Sequence, residues 1–407
     1  MSLDHSSDRL WTKSFTMLVL GNLFVFMSFQ MLLPTLPPQA KEFGATEIQV
    51  GLVTSLFCIA AVIIRPLTGF LLESSKRKWL VILGATSLLC ITISYSFSTL
   101  IIFFLFIRFI HGLAWGWSTT ANGTAAVELV PPKRLGEGLG YFSLSMTIGM
   151  ILAPSLGILL YQTFGFHILI FVSSVLGVIA VVLLLLISYQ TPKEVEEKQL
   201  DFRQFSLLRS LVDKHGWYPS FITLLASFSQ GTIVTFIVIF SIERNLDQVF
   251  LFYLFSAITG TIVRPFVGKW FDQKGPWLLV IFCSISAILG LFILSYTYSI
   301  TFLIFSGILI GAGFISMMPV LQSWVISKTP SDRRGVANGM FYSSIDLGIG
   351  ISGVVFGFLS SFISLGSIFQ LSSVCYLIVI ALTLIDYLKI KRNERKSQKE
   401  YKHFRTV

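Results

Sequence analysis

Long apolar runs alternate with short polar breaks along almost the whole chain. A helix needs about 20 consecutive, mostly apolar residues to cross the hydrocarbon core of a bilayer, and the sequence contains twelve such runs. We therefore predict an all-α membrane protein with twelve transmembrane helices. The predicted spans, numbered 1 to 12, cover residues 14–36, 49–72, 79–98, 101–127, 139–162, 166–189, 217–240, 249–271, 277–297, 300–326, 338–361 and 364–388.

The two halves of the chain carry the same pattern in the same order. "RPLTG" at residues 65–69 returns as "RPFVG" at residues 264–268, and the same offset places "RLGEGLGYF" at residues 134–142 opposite "RRGVANGMF" at residues 333–341. One offset without gaps relates spans 2–5 to spans 8–11. Parallel repeats of this kind build transporters in which one half rocks against the other around a site near the bilayer midplane.

The repeat divides the chain into four parts. We predict an N-terminal six-helix half at residues 1–189 and a C-terminal six-helix half at residues 217–388, related by a parallel repeat. A cytoplasmic linker at residues 190–216 joins them, and residues 389–407 form a basic cytoplasmic tail. We expect the chain to act as a monomer.

The charge distribution gives this architecture a direction. The formal net charge is +10, although 54% of the residues are hydrophobic and only 12% are charged. Most Lys and Arg residues lie in the tails and in the breaks after even-numbered spans, whereas Lys41 and Arg244 lie in breaks on the other side. Because positively charged segments stay in the cytoplasm, we predict cytoplasmic termini in a plasma or inner membrane. The charge indicates a bilayer partner and not a nucleic-acid partner.

No enzyme-like constellation is present in the sequence. The four cysteines lie in apolar runs, without the spacing of a metal site or of a disulfide framework. A membrane enzyme would need clustered acids, nucleophiles or metal ligands at one depth, and the five scattered histidines do not supply them. We predict no enzyme activity, no cofactor and no metal.

Two similar motifs lie at the C-terminal ends of spans 2 and 8. In "GFLLESSKRK" the acid Glu73 follows Gly69 by four residues, and in "GKWFDQKG" Asp272 follows Gly268 by the same distance. Glycine lets neighbouring helices approach closely, and the acid can face a helix N-terminus or a nearby cation such as Arg77. This arrangement favours a gating role at the helix ends.

These motifs resemble the loop 2–3 signature of the major facilitator superfamily and its echo in loop 8–9. Arg77 and Lys78 match the signature, whereas Glu73 replaces an aspartate, Ser74 an arginine and Lys76 a glycine. The resemblance implies the major facilitator fold, with Gly69, Glu73, Arg77, Gly268 and Asp272 acting in a conformational gate.

Two further stretches extend the resemblance. "RFIHGLAWG" resembles the fourth-helix motif, in which Arg108 matches and His111 replaces a glutamine. "GMILAPSLG" resembles the fifth-helix motif of antiporters, in which Gly149, Pro154 and Gly157 match. Together with the "RP..G" stretch, these motifs look like those of bacterial exporters of drugs and metabolites of the twelve-helix, proton-antiporter type.

Charged and polar residues inside the fourth span are the next candidates. Arg108 and His111 lie one helical turn apart, with Gln30 of span 1 at a similar depth. They predict a polar network for proton transfer, because histidine titrates near neutral pH. Alternatively, Arg108 hydrogen-bonds carbonyl groups of the first helix and His111 is a neutral packing residue. Gln30 and Trp115 are candidate lining residues of a substrate cavity. Trp117, two positions after Trp115, cannot face the same side.

Glu128, at the inner end of span 4, is predicted to pair with Arg77. In the resembled family an acid at this place commonly joins a charge relay with the loop 2–3 signature. The alternative is an interfacial carboxylate that faces water.

The repeated arginines lie within spans 2 and 8. Arg65 and Arg264 are each eight residues from the acid at the helix end, about 12 Å deep at 1.5 Å per residue. In the resembled family helix 2 closes against helix 11 and helix 8 against helix 5, which would make both arginines seam residues that close the cytoplasmic side. Snorkelling to the headgroups is the alternative.

Asp346 in span 11 is predicted at the depth of Arg65. Its counterpart in the first half is Thr147, so the acid breaks the symmetry of the repeat and Arg264 is expected to lack an equivalent partner. Burial favours the neutral acid and a nearby arginine favours the carboxylate. A seam that opens and closes around the pair could therefore load and release a proton. The alternative is a static ion pair that holds one state.

The resulting prediction is a secondary active transporter that exports small organic molecules by proton antiport. A proton-coupled importer or facilitator of a small nutrient on the same fold is the alternative. Because the interiors of the spans, away from their last few residues, contain three arginines and one aspartate, Asp346, we expect a neutral, zwitterionic or anionic substrate and not a permanent cation.

Overall fold

The computed structural model describes residues 9–72, 77–131, 134–188, 212–330 and 334–405, and these residues contain helices and no strands. Side chains at positions 135, 136, 265, 268, 272, 334, 335 and 393–405 are not described. The twelve long helices are α1 (Lys13–Leu32), α2 (Glu47–Leu72), α3 (Arg77–Ser94), α4 (Ile101–Leu129), α5 (Leu135–Phe164), α6 (Phe166–Leu185), α7 (Trp217–Glu243), α8 (Phe250–Lys274), α9 (Trp277–Ser295), α10 (Ile300–Lys328), α11 (Arg334–Leu359) and α12 (Leu365–Arg405).

Eleven helices of the described part are long and apolar enough to cross a membrane. The twelfth, α8, has a shorter apolar part, Phe250–Arg264, because charged residues such as Lys269 and Lys274 follow. The predicted all-α membrane fold with twelve helices is confirmed.

Proline and glycine set several helix ends. The first span was predicted to reach residue 36, but α1 ends at Leu32 and a short helix, Leu36–Glu42, follows. Pro34 explains the difference, because proline has no backbone N–H to donate to the carbonyl four residues earlier and its ring crowds the preceding turn. Gly165 has a φ of 80°, and it turns α5 directly into α6. The last helix continues to Arg405, so the described part of the predicted tail is helical.

The helix contacts follow the sequence repeat. In the first half α1 packs on α5 and α6, α2 on α4, and α3 on α6. In the second half α7 packs on α11 and α12, α8 on α10, and α9 on α12. The halves meet where α2 packs on α11 and where α5 packs on α8. Most of the predicted linker, residues 190–211, lies outside the described residues.

Small residues bring α2 and α11 together at the face away from the chain termini. A side chain added at Gly51 would overlap the backbone of Gly353 and Gly357. The hydroxyl of Ser55 donates to the Gly350 carbonyl at 2.6 Å. We call these five residues the outer seam. Small residues at a helix interface allow the backbones to approach closely, so the seam is closed here.

The same two helices lack such close glycine contacts towards the face that carries the termini. Following them in that direction leads past Arg65 and Asp346 to Gly69 on α2 and Gly339 on α11. A side chain added at either glycine would meet no described atom within 4 Å. The same holds for Gly140 on α5, the repeat counterpart of Gly339. The outer seam is therefore closed, whereas side chains built at these three glycines meet no described atom at the termini end.

Candidate functional site

An ion pair joins the two halves through α2 and α11. Arg65 Nη2 lies 2.7 Å from Asp346 Oδ2, and the side chains are only 12% and 14% exposed. Arg65 Nη1 also donates to the Thr119 hydroxyl on α4 at 3.2 Å. The predicted contact between Arg65 and Asp346 is present, which excludes snorkelling of this arginine in this state.

A neutral version of the same contact joins α8 and α5. Arg264 Nη1 donates to the Thr147 hydroxyl at 2.9 Å, and that hydroxyl donates to the Ser143 carbonyl at 3.0 Å. Arg264 makes no ion pair with any described acid, as the sequence predicted. The expectation that it lacks an equivalent partner needs correction, because Thr147 stands at the repeat position of Asp346 and accepts its hydrogen bond.

Tyr342 lies on α11, one helical turn from Asp346 and close to Arg65. Its ring centre is 6.0 Å from the Arg65 guanidinium carbon, and it also interacts electrostatically with Arg264 and Asp346. The amide of Gln322 on α10 lies beside the phenol. Sequence reasoning missed Tyr342, although its spacing of four residues from Asp346 places both on one helix face.

The amide of Gln322 extends this polar group. Gln322 Nε2 donates to Asn338 Oδ1 at 2.8 Å, which adds a residue of α11 one turn nearer the termini than Tyr342. We define the central polar cluster as Arg65, Thr119, Thr147, Arg264, Gln322, Asn338, Tyr342 and Asp346. Five of these eight residues were not candidates in the sequence, because single Thr, Gln, Asn and Tyr residues in apolar runs carry no distinctive pattern.

The predicted charge pair near the termini face is present. Arg77 and Glu128 form an ion pair, with side chains that are 12% and 16% exposed. Arg77 Nε also donates to the Leu72 carbonyl at 2.6 Å, which ties the start of α3 to the end of α2. Of the remaining predicted gate residues, Glu73 lies outside the described residues, and the surroundings of Gly268 and the side chain of Asp272 are not described.

Arg108 is fully buried between α4 and α2. Its Nε donates to the Val53 carbonyl at 2.7 Å, and the guanidinium carbon lies 4.6 Å from the centre of the Phe57 ring. The alternative prediction placed these carbonyl partners on the first helix, but Val53 belongs to the second. The two terminal guanidinium nitrogens of Arg108 have no hydrogen-bond partner in the described structure.

His111 forms a separate contact on α4. Its Nδ1 lies 3.1 Å from the Tyr95 hydroxyl, and the ring meets Phe29 edge to face at 5.3 Å between centres. Among the described residues, neither His111 nor Arg108 hydrogen-bonds the other, and buried Gln30 bonds neither of them. The predicted network of these three residues is therefore absent from this state.

Trp115 belongs to an aromatic cluster inside the first half. Its ring stacks on Phe29 at 3.9 Å between centres and meets Phe26 at 4.8 Å, leaving 6% of the residue exposed. Trp117 instead donates to the Leu80 carbonyl on α3 at 2.9 Å. The two tryptophans face different helices, as predicted, but Trp115 is packed in a core and does not line open space.

The fifth-helix motif packs α5 on α1. A side chain at Gly149 would overlap Phe26, and one at Gly157 would overlap the backbone of Met31. Pro154 lies buried between these positions within α5. The motif thus shapes the α1–α5 interface. No group of three His, Cys, Asp or Glu residues suited to a metal occurs in the described ranges.

Comparison with known proteins agrees with this architecture. The family model of the Major Facilitator Superfamily matches residues 18–351 and 277–406. An MFS-type transporter of Methanocaldococcus jannaschii is 25% identical, with 94% of this chain and 97% of that protein covered. A staphylopine export protein of Staphylococcus aureus is 21% identical, with coverage of 92% and 96%. The multidrug resistance protein MdtG of Escherichia fergusonii is 26% identical, with coverage of 82% and 85%.

A solved structure shows the same fold. The crystal structure of the nucleoside transporter NupG superposes with a TM-score of 0.73 at 16% identity, covering 92% of this chain and 99% of that one. The helix order, the contacts between two repeated halves and the family match lead to one assignment. The chain belongs to the Major Facilitator Superfamily and is a multi-pass membrane transporter of small molecules, not an enzyme.

Proposed function

We propose that this protein is a secondary active exporter of small organic molecules, driven by proton antiport, and that Asp346 is the acid that carries the proton. The observation that carries the proposal is the Arg65–Asp346 ion pair. It links the halves through α2 and α11, so its strength affects the equilibrium between the two access states.

The chemistry follows from the position of the pair. Asp346 as a carboxylate is held by Arg65, whereas a protonated Asp346 loses the charge attraction and most of the bond strength. An ion pair with little water around it responds strongly to such a change, because the interaction between charges is stronger in a low dielectric. Protonation therefore loosens the contact between the halves, and release of the proton restores it.

The orientation follows from the distribution of positive charge. We place the termini on the cytoplasmic side of a bacterial-type plasma membrane. The outer seam then closes the external side, and the termini face is the side accessible from the cytoplasm. A substrate enters from the cytoplasm in this state. The Arg77–Glu128 pair at the termini face is proposed as part of the gate that closes it.

Relatives support the direction of transport. One is an export protein for staphylopine, and another is a multidrug resistance protein. Both match most of this chain. A single chain holds both halves and the seam between them, so we propose that the monomer is the transporting unit.

Reconstituted protein tests the proposal. Vesicles that contain the pH dye pyranine are given a pH gradient, and compounds from a drug and metabolite panel are added one at a time. An antiported compound moves against the proton flux and accumulates uphill. Asp346→Asn should abolish uphill accumulation while exchange without a gradient continues. Asp386→Asn is the matched control, since Asp386 accepts a hydrogen bond from Trp277 away from the seam.

Two outcomes contradict the proposal. Compounds that accumulate in the same direction as the protons would identify the importer alternative. Uphill transport by Asp346→Asn with the pH dependence of the unchanged protein would show that the Arg65–Asp346 pair is structural.

A further inference from the structure

The central polar cluster contains more positive than negative charge. Arg65 and Arg264 supply two guanidinium groups, while Asp346 is the acid of the cluster and is already paired with Arg65. Arg264 uses one of its five N–H donors on Thr147, and it makes no ion pair with a described acid. A guanidinium fork with free donors fits the two oxygens of a carboxylate.

The surroundings of Arg264 are open in this state. Its side chain is exposed, so the guanidinium can take a further partner. Tyr342 interacts electrostatically with both Arg264 and Asp346, and it lies one helical turn from Asp346 on α11.

Asp346 also has an unused acceptor. Its Oδ2 accepts from Arg65 at 2.7 Å, while Oδ1 accepts no hydrogen bond from the described residues. A carboxylate oxygen in this position can take a protonated amine as well as a proton. The two occupants exclude each other, because the amine needs the carboxylate in its charged form and a bound proton removes that charge.

We propose that Arg264, Tyr342 and Asp346 form a site for a zwitterion with at least one carboxylate and one protonated amine. The carboxylate binds the Arg264 guanidinium, and the amine binds Asp346 Oδ1. This inference rests on the proposed function, because it uses the acid assigned there to the proton.

The arrangement explains why a cargo and a proton exchange. A bound amine needs Asp346 ionised, so the loaded carrier carries no proton at this site, and a proton on Asp346 ejects the amine. A simple anion would instead bind better when Asp346 is protonated, which would couple it to a proton in the same direction. A permanent cation would meet the excess positive charge of Arg264 without a compensating contact.

Three probes of one carbon skeleton separate these cases. L-phenylalanine carries both charges, 3-phenylpropanoate carries only the carboxylate, and 2-phenylethylammonium carries only the amine. Binding is measured at equilibrium on the full-length protein in lipid nanodiscs, by calorimetry or ligand-observed NMR, without any gradient. Because this binding measurement needs no pH gradient, it can give a positive result even if uphill transport is absent. The failure of one proposal can therefore be told apart from the failure of the other.

The expected order of affinity is phenylalanine above both singly charged probes. Arg264→Gln should lower the affinity for phenylalanine about tenfold without lowering the affinity for 2-phenylethylammonium. Asp346→Asn should also lower the affinity for phenylalanine, but it should not lower the affinity for 3-phenylpropanoate. Arg264→Lys keeps the charge and should retain part of the binding. Lys391→Gln removes the same charge from the exposed part of α12 and should change nothing, with size-exclusion profiles confirming that all variants fold.

Three results would overturn the inference. The first is 2-phenylethylammonium binding more tightly than phenylalanine, which indicates a cation site. The second is 3-phenylpropanoate binding as tightly as phenylalanine, which removes the role of the amine. The third is the absence of any binding that depends on Arg264.

Discussion

Arg264 donates a hydrogen bond to Thr147 across 2.9 Å, at the repeat position where Arg65 pairs with Asp346 across 2.7 Å. The two contacts join the same pair of halves through different helices, α8 with α5 and α2 with α11. One contains an acid that can take a proton and the other does not. The seam is thus symmetric in its geometry and asymmetric in its chemistry.

Restoring the symmetry should add a second ion pair. Thr147→Asp places a carboxylate where Arg264 already donates, and we expect it to stabilise the protein by about 0.5–1 kcal/mol, as for a partly exposed pair. Thermal unfolding in detergent measures this against Thr147→Asn. The gain should vanish in an Arg264→Gln background; a gain of equal size there would show that the new carboxylate acts without Arg264.

Removing one member of the Arg65–Asp346 pair should cost more than removing both. A buried charge left without its partner destabilises a protein by about 3–5 kcal/mol. We therefore expect Arg65→Gln to lower the melting temperature and the double variant R65Q/D346N to regain much of the loss. Additive effects in this double-mutant cycle would mean that the two side chains are not coupled in solution.

The outer seam should control the access state. Gly51→Val would overlap the backbone of Gly353, so the closed contact cannot form and the population shifts away from the state open to the termini face. In inside-out membrane vesicles, a maleimide that cannot cross the membrane reports this shift from the cytoplasmic side. It should label Gly339→Cys more slowly in a G51V background, in a chain otherwise free of cysteine.

A matched control uses the open end of the same helix. Gly69→Val should leave the labelling rate of Gly339→Cys nearly unchanged or raise it, because a side chain at Gly69 meets no described atom within 4 Å in this state. Equal slowing by both substitutions would point to general disruption of α2 and not to the outer seam.

The pair near the termini face is expected to depend on opposite charges. Glu128→Gln should reduce the transport rate severalfold, because it removes the carboxylate that Arg77 contacts. The exchanged pair R77E/E128R should recover part of the rate in vesicles. Recovery should be incomplete, since the hydrogen bond from Arg77 to the Leu72 carbonyl is lost. No recovery at all would assign the effect of Glu128 to another contact.

His111 is expected to be dispensable for coupling. It contacts Tyr95 and aromatic rings and has no hydrogen bond to the central polar cluster. His111→Gln should therefore keep uphill transport and its pH dependence, with at most a modest loss of stability. A shifted pH profile in vesicle uptake would transfer the proton-carrying role from Asp346 towards His111.

Much of the architecture follows from the sequence alone. Apolar runs long enough to cross a bilayer and an offset repeated across both halves predict twelve helices in two related sets. Counting residues along helices also places Arg65 and Asp346 at one depth, which is enough to predict their contact. These features depend on the rise per residue and on hydropathy, and both are local properties of the chain.

Tertiary structure decided which way each side chain faces and what it meets. One interpretation of the sequence paired Arg108 with backbone carbonyls but did not identify Val53 as the acceptor. The sequence also predicted that Trp115 lines a cavity, whereas its ring packs on Phe29. Thr147 and Tyr342 became part of the site only through helices that are distant in sequence. Depth is set by position along one helix, whereas rotation about the helix axis and the open or closed state of a seam are set by packing between helices, which no local pattern encodes.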